Sequence, residues 1–248
     1  ATASALAPYQ AAVLPLNIFS PELEGALSSF VSSGGKLIVF YTASPAVAHL
    51  VGIESLTYTS PEYDGQFTEI VQSAEPVPGA PSVVRFNSWN VFVPTLLPSA
   101  RIVGEWRDTK GKPTGIPALV ESPAGFYVGH VLTGADGEAQ ARLIGALIAQ
   151  VAPKAWKGAL ERRAARALKL GEFETVEELR TYINSQPASQ RITEALSWAT
   201  LAEEKFAKAE RHLMRGLFVE ADLALTEASK ALQEAYARAH PPAPSEFR

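Results

Sequence analysis

The sequence predicts an α/β domain followed by an all-helical region, and three observations carry that prediction. Two apolar runs, at residues 11–17 and 36–42, flank an amphipathic stretch, which is the pattern of a strand, a helix and a second strand. Glycine and proline are concentrated in residues 1–150, and near Pro153 the composition shifts toward alanine, glutamate, leucine and arginine. Beyond residue 190, apolar side chains recur every three or four residues, as they do along one face of a helix.

The first helix and the strand after it have local signals. Ser20 is suited to cap a helix, Pro21 to be its first residue, and Gly34 and Gly35 to end it. Residues 36–42, KLIVFYT, are rich in apolar and β-branched side chains and predict a buried strand. Because parallel strands are joined by a crossover helix, these elements predict a right-handed βαβ unit.

The strand at residues 36–42 runs into a tight turn. Thr42 and Ser44 lie in that turn, and an apolar helical pattern follows as far as Gly52. Many α/β enzymes place a nucleophile at such a turn between a strand and a helix. Five further strands and a helix that packs back on the sheet are predicted downstream, at residues 67–73, 81–87, 100–108, 115–122, 125–132 and 135–153.

The last part of the chain predicts an antiparallel hairpin of two long helices at residues 191–239. Two apolar stripes with helical spacing are joined by a short turn at Arg215 and Gly216, and their many alanines let the helix axes approach closely. The expected domains are therefore an α/β domain over residues 1–152 and a helical region over 153–240. A linker over 241–248 would lead to a following domain.

Composition excludes several classes of function. The 248 residues carry a formal net charge of −4 with no strongly basic block, so nucleic acid is not expected as a partner. The absence of cysteine removes disulfides, thiolate zinc sites and thiol nucleophiles. The four histidines, at positions 49, 130, 212 and 240, lack metal-ligand spacing, and no phosphate-binding glycine motif occurs, so neither a metal nor a cofactor is expected. No apolar run approaches the roughly 18 residues that a membrane-spanning segment needs.

The order of motifs in the first domain resembles the class I glutamine amidotransferase-like fold. The resemblance covers residues 9–150 and rests on the Leu14–Pro15 pair after one strand, the glycine pair before the next, and a glycine–aromatic strand that ends in a histidine. It is similar in particular to the inactive versions found beside glycoside hydrolases, such as the trimerisation domain of A-type β-galactosidases. The resemblance implies a flavodoxin-like or amidotransferase-like sheet that lacks its first strand in this chain, with a vacant or partner-filled position beside residues 11–17.

The same resemblance implies which residues stand at the family's catalytic positions. Active members carry a Gly-x-Cys-x-Gly elbow, which puts Thr42 at the cysteine and Ser44 at the second glycine. Their His-Pro-Glu matches YVGHVLTG, so that His130 stands at the histidine and Leu132 replaces the glutamate. Because attack on a carboxamide needs a thiolate, a base and an orienting acid, we expect Thr42, Ser44 and His130 to be vestigial and no residue to be catalytic. We also expect His130 to lie near Thr42, at the carboxyl ends of sheet strands.

A second resemblance lies at the end of the chain. EAYARAHPPAPSEFR is similar to the junction that leads into family-10-like glycosyl hydrolase barrels, where a helical segment gives way to an E-x-R-x-x-W strand. Glu246, Phe247 and Arg248 provide the match. Together the two resemblances imply a module of a larger carbohydrate-active protein that is exported to the periplasm or secreted.

Aromatic residues are frequent in the strand-rich part of the first domain. They allow two interpretations, a surface on which sugars stack or ordinary packing in the core and at sheet edges. The residues are Tyr58, Tyr63, Trp89, Phe92 and Trp106.

Three hypotheses for function follow. The first is a non-catalytic accessory module that serves oligomerisation, scaffolding or glycan positioning, with further copies, a larger assembly or a glycan as partners. The second is a structural or docking subunit of a cell-envelope assembly, with the alanine-rich hairpin as its docking element. The third is a hydrolase that uses Thr42 or Ser44 with His130. The carboxylate pairs at 177–178 and 203–204 fall on predicted helix exteriors, which favours a solvated face over a glycosidase site.

Overall fold

The computed structural model describes residues 2–15 and 19–240, so the expected linker at 241–248 lies outside the described residues. The chain divides into two compact units, Ala1–Pro153 and Lys154–Arg248. The strands are β1 (Ala11–Leu14), β2 (Lys36–Phe40), β3 (Ile53–Thr59), β4 (Phe67–Gln72), β5 (Val83–Ser88), β6 (Val91–Leu96), β7 (Arg101–Arg107), β8 (Pro113–Ser122) and β9 (Gly125–Val128). The helices are α1 (Ala3–Leu6), α2 (Pro21–Ser32), α3 (Pro45–Leu50), α4 (Gly137–Val151), α5 (Pro153–Ala167), α6 (Val176–Ser185), α7 (Gln190–Met214) and α8 (Phe218–Ala239).

The first unit has a mixed α/β structure, which confirms the predicted α/β class. Its main sheet has seven strands in the order β1-β2-β9-β8-β7-β4-β5. β1, β2 and β9 run parallel to one another, whereas the remaining neighbouring pairs are antiparallel. In the sheet as described, β1 pairs with β2 alone and forms one edge, and β5 forms the other.

The local signals around the first long helix are confirmed. The Oγ of Ser20 accepts a hydrogen bond from the amide of Leu23 at 3.3 Å, and Pro21 begins α2. Gly34 has a φ of +94°, a backbone conformation that glycine adopts without steric cost. The chain therefore leaves α2 and enters β2 within a few residues, as the sequence predicts.

An apolar core between the sheet and the helices α2 and α3 fixes the positions of β2 and β9. Leu27 of α2, Val47 of α3 and Val39 of β2 are fully buried and pack in one cluster with Tyr127 of β9. β2 pairs with β9 in parallel register, with Phe40 opposite Val128. The two strands consequently end side by side, and the turns that follow them start at the same edge of the sheet.

Some predicted boundaries were wrong, and two strands were not predicted. The strand predicted at 125–132 ends at Val128, so that His130 lies in the loop after β9. β3 and β6 form a separate two-stranded antiparallel sheet, in which Tyr58 lies opposite Phe92. Most of β3 is exposed or half-buried, so it lacks the apolar pattern by which a buried strand is recognised. Residues 16 and 17 of the predicted first strand lie outside the described part of the chain.

The second unit contains the predicted helical hairpin. α7 and α8 pack along alanine-rich faces, and Leu225 and Leu232 of α8 are buried between the alanines. Gly216 closes the turn between the helices with a φ of +72°. α5 and α6 complete the helical region, and Leu179 and Ile183 of α6 are buried in the same core as the hairpin. Over residues 2–15 and 19–240, no helix combines the length and apolar character needed to cross a bilayer.

Candidate functional site

The candidate site lies where β2 and β9 end. The amide of Tyr41, the first residue after β2, donates a hydrogen bond to the carbonyl of Val128 at 3.0 Å. His130 follows β9 by two residues and lies in ring contact with Tyr41, with the ring centroids 5.1 Å apart. The carboxyl ends of parallel strands are where α/β folds bind ligands, so this edge of the sheet is the candidate site.

Tyr41 has a strained backbone. Its φ is +43°, and for a bulky residue that conformation costs about 1–3 kcal/mol. Two contacts of the side chain stabilise this strained conformation. The hydroxyl donates a short hydrogen bond to Oδ1 of Asn90, and the ring packs on Phe92 with the ring centroids 4.9 Å apart. Asn90 is itself buried. The surroundings therefore fix the direction of the Tyr41 ring.

Thr42 and Ser44 use their hydroxyls to build the turn. Thr42 is fully buried, and its Oγ1 accepts a hydrogen bond from the amide of Ser44 at 3.0 Å. The Oγ of Ser44 caps α3 by accepting from the amide of Val47 at 3.2 Å, and it donates to Oε1 of Glu24 at 2.5 Å. Both side chains thus have structural partners at the strand-to-helix turn.

His130 is fully buried, and only one of its two ring nitrogens has a hydrogen-bond partner within the described residues. Its Nδ1 lies 3.1 Å from the carbonyl oxygen of Val131, while its Nε2 has no hydrogen-bond partner. Burial lowers the pKa of His130 below its ordinary value, and the carbonyl contact only partly opposes that shift. The imidazole is therefore neutral at physiological pH.

The loop that carries His130 is held by polar contacts to β5. The Oγ1 of Thr133 donates to the carbonyl of Phe86 at 2.5 Å. The buried side chain of Gln140 donates from Nε2 to the carbonyl of Arg85 at 2.8 Å and accepts from the amide of Gly134 at 3.2 Å. These bonds fix the position of the histidine.

Five rings form a continuous aromatic cluster around these residues. Tyr58 contacts Phe92 at 5.7 Å, Phe92 contacts Tyr41, Tyr41 contacts His130, and His130 contacts Trp89 edge-to-face at 4.5 Å. Trp89 is 61% exposed and Tyr58 is 56% exposed, whereas His130 is buried. We call Tyr41, Tyr58, Trp89, Phe92 and His130 the aromatic cluster.

The structure brings together three of the five aromatic residues named from the sequence and separates the other two. Trp106 is fully buried in the core, where it packs on Phe67 and Phe86. Tyr63 donates a hydrogen bond from its hydroxyl to Oδ2 of Asp108 at 3.1 Å and makes no ring contact within the described residues. Tyr58, Trp89 and Phe92 belong to the aromatic cluster.

Sequence reasoning missed Tyr41 and Asn90. An aromatic residue directly before Thr42 was a visible signal, since it ends the strand at the turn. No sequence signal pairs Tyr41 with Asn90, because the two residues lie 49 positions apart. The unusual φ of Tyr41 has no signal either, since the residue is neither glycine nor asparagine.

The arrangement is better suited to binding than to nucleophilic chemistry. Within the described residues, no hydrogen bond joins the hydroxyl of Thr42 to His130, and no carboxylate contacts the imidazole. The same part of the chain contains no group of three histidine, aspartate or glutamate side chains that could hold a metal ion. What the site offers is two exposed rings, a buried amide and a histidine nitrogen without a partner.

Comparisons with known proteins leave the family open. No protein-family model matches the sequence, and no curated protein matches it. Among solved structures, alpha-L-fucosidase isoenzyme 2 from Paenibacillus thiaminolyticus is similar, with a TM-score of 0.42 and 13% sequence identity. The match covers 59% of this chain and 26% of that chain, so the similar region is about a quarter of the fucosidase. A similarity of this strength carries no argument about fold or function.

Proposed function

We propose that the first unit is a non-catalytic carbohydrate-recognition module that positions a glycan within a larger, exported carbohydrate-active protein. The observation that carries the proposal is the aromatic cluster, which presents Trp89 and Tyr58 to solvent at the carboxyl ends of β2 and β9. Binding sites of small molecules combine apolar and aromatic surface with a few fixed polar groups. A sugar ring has an apolar face of C–H groups and a rim of hydroxyls, which is the complement of such a surface.

The rigidity of the cluster supports recognition rather than simple surface exposure. The ring of Tyr41 is fixed by its hydrogen bond to Asn90, and the ring of Tyr58 packs edge-to-face on Phe92. A preorganised surface loses little conformational entropy when a ligand binds. The ring of Tyr58 is therefore held ready for stacking, whereas Trp89 keeps the freedom to adjust to a ligand.

The partners of the hydroxyls support a non-catalytic role. A nucleophilic hydroxyl needs a general base within hydrogen-bond reach, and the base needs a group that orients it. The hydroxyls of Thr42 and Ser44 instead hold the turn, and the Nδ1 of His130 contacts a backbone carbonyl. We expect no turnover of glutamine or of an activated ester. Measurable turnover that disappears in Thr42→Ala or His130→Ala would favour the hydrolase hypothesis instead.

The binding experiment measures calorimetric affinity for neutral oligosaccharides of different linkage, namely cellohexaose, xylohexaose, maltohexaose and chitohexaose. We expect Trp89→Ala and Tyr58→Ala each to weaken binding about fivefold, since a lost ring contact is worth about 1 kcal/mol. Tyr9→Ala is the matched control, because Tyr9 is an exposed tyrosine of the same unit outside the cluster. Equal affinities in all four proteins, or no binding to any of the sugars, would contradict the proposal.

We further propose that β1, β2, β9, α2 and α3 are a reduced amidotransferase-like core. The parallel order β1-β2-β9 and the sharp turn into α3 support this. The strained residue of the turn is Tyr41 rather than Thr42, so the elbow position of such a core falls one residue earlier than the sequence alignment places it. An experimental structure with an ordinary φ at Tyr41 would remove this argument.

For the helical region we propose a connecting and scaffolding role, with the division at residues 152–153 as the domain boundary. The alanine-rich interface of α7 and α8 supports a hairpin that is stable without the sheet, because its apolar surface is buried within the hairpin and against α5 and α6. Limited proteolysis of the full chain is expected to cut between residues 150 and 190 and to leave two resistant fragments. A single resistant core that spans this region would contradict the division.

A further inference from the structure

We propose that His130 determines the specificity of the glycan site, and that its Nε2 accepts a hydrogen bond from a hydroxyl of a neutral sugar when Trp89 is displaced. The inference rests on the proposed function, since it names the polar group that a bound glycan reaches. It begins from one observation: within the described residues, His130 is a fully buried histidine whose Nε2 has no partner. A buried polar atom left unpaired is unfavourable, so a ligand that pairs it is stabilised by the contact.

The contact at the other ring nitrogen settles the role of Nε2. A carbonyl oxygen can only accept, so the Nδ1 of His130 carries the proton that is donated to Val131. Because burial keeps the ring neutral, the lone pair remains on Nε2. Nε2 is therefore an acceptor, and the group that satisfies it must be a donor such as a sugar hydroxyl.

Trp89 is the exposed ring that contacts this histidine. It lies edge-to-face against His130 at 4.5 Å and has no other ring contact within the described residues. Its neighbour Asn90 is held by Tyr41, whereas the indole of Trp89 is 61% exposed. Rotation of the indole consequently breaks one ring contact and leaves the rest of the cluster intact.

The charges around the imidazole indicate a neutral ligand. Within the described residues, the ring contacts and the hydrogen-bond contact of His130 are with the ring of Tyr41, the indole of Trp89 and the carbonyl of Val131, and none of these groups is charged at neutral pH. Burial raises the pKa of Tyr41, the titratable group among them. An acidic sugar would find no cation among these contacts, and burying its carboxylate without one is unfavourable. The site is therefore suited to uncharged hydroxyls.

Two substitutions separate the two ring nitrogens. His130→Asn keeps a donor near the position of Nδ1 and removes Nε2, so the contact to Val131 is retained while the ligand acceptor is lost. His130→Gln places an amide oxygen near the position of Nε2 and cannot titrate. Hydrogen exchange of the core amides in both variants checks that the unit stays folded.

The experiment measures the affinity of the full chain for the oligosaccharide that binds in the panel, from pH 7.5 to pH 5. We expect the natural protein to bind more weakly at any pH low enough to protonate His130, since an imidazolium has no acceptor nitrogen. We expect His130→Asn to bind weakly at every pH, and His130→Gln to bind more tightly than His130→Asn with no pH dependence. In the free protein, the ¹⁵N chemical shifts of the imidazole should show the proton on Nδ1.

Each other outcome overturns the inference in a recognisable way. Affinity that is unchanged in His130→Asn, or a pH dependence that persists in His130→Gln, while Trp89→Ala still weakens binding, overturns the role of His130 and leaves the proposed function standing. A proton on Nε2 in the free protein overturns the inference without any ligand. No binding by any of the neutral oligosaccharides at any pH overturns both the inference and the proposed function.

Discussion

Each unit of this protein packs a histidine among aromatic rings, and the two surroundings differ in charge. In the first unit, His130 lies against Tyr41 and Trp89 and has no carboxylate contact. In the second unit, His240 is stacked nearly parallel on Tyr182 at 4.6 Å and on Tyr236 at 4.2 Å.

The surroundings of His240 include a carboxylate. The Nε2 of His240 lies 3.2 Å from Oε1 of Glu172, and its Nδ1 lies 3.3 Å from the carbonyl oxygen of Tyr236. The hydroxyl of Tyr236 donates to the other oxygen of Glu172 at 3.2 Å. Both ring nitrogens of His240 thus face oxygen acceptors, whereas one nitrogen of His130 faces none. Similar residue types therefore produce a site that excludes charge in one unit and a site that accommodates it in the other.

A positive charge at the two positions gives the largest expected difference. We expect His130→Lys to lower the free energy of unfolding of the first unit by about 3–5 kcal/mol, because it buries an ammonium without a counter-charge. We expect His240→Lys to have a much smaller effect on the second unit, since Glu172 lies within reach of the new ammonium. Hydrogen exchange of core amides in each unit measures both effects in the full chain. Equal losses of unfolding free energy at the two positions would show that the two surroundings tolerate a positive charge equally well.

The next difference concerns the two tyrosine hydroxyls. Tyr41→Phe removes the donor that satisfies Oδ1 of the buried Asn90, so we expect a loss of about 1–2 kcal/mol in the first unit. Tyr236→Phe removes a bond to the exposed Glu172, which water can replace, and we expect no measurable change in the second unit. Urea denaturation followed by circular dichroism tests the pair. A silent Tyr41→Phe would show that the hydrogen bond does not hold the strained turn.

These contrasts explain which parts of the fold could be predicted from the sequence. The signals for α2 are local, since Ser20 and Pro21 act within one turn of the helix. The hairpin was predictable because each of its helices shows, within its own sequence, apolar residues at helical spacing. β3 and β6 were missed because their stability comes from pairing between residues far apart in sequence, and because much of β3 is exposed.

The candidate site was less accessible to prediction than the fold. His130 and the turn at Thr42 could be named from the sequence, and three of the aromatic residues could be named from composition. Their arrangement depends on the φ of Tyr41, on the bond between Tyr41 and Asn90, and on the loop that ends β9 before His130. Such features arise from tertiary packing, which single-sequence patterns do not contain.

The third difference is a dependence of stability on pH. The pKa of His130 is lowered by burial, so below its ordinary value of 6.5 the unfolded chain takes up a proton before the folded chain does. The free energy of unfolding of the first unit should therefore fall as the pH drops from 6.5 toward the lowered pKa, with a slope of at most about 1.4 kcal/mol per pH unit. We expect His130→Asn to remove this slope. An unchanged slope in the variant would mean that another group causes it.

The smallest expected effect belongs to Glu172. Its pKa is lowered, first by a hydrogen bond from its own backbone amide, and further by the hydroxyl of Tyr236 and by His240, while partial desolvation opposes the shift. Because the folded pKa lies below the ordinary 4.5, the carboxylate stabilises the second unit above that pH, and the contribution is lost as the pH falls through the lowered pKa.

Glu172→Gln should therefore reduce the stability of the second unit slightly at pH 7 and leave it unchanged near pH 2, where the natural carboxyl is protonated as well. Glu204→Gln is the matched control, because Glu204 is exposed on α7 and makes no ion pair or side-chain hydrogen bond within the described residues. Hydrogen exchange of the α8 amides at the two pH values measures the difference. If the two variants behave alike at pH 7, the contact between Glu172 and His240 adds nothing to the stability of the unit, and the contrast with His130 then rests on burial alone.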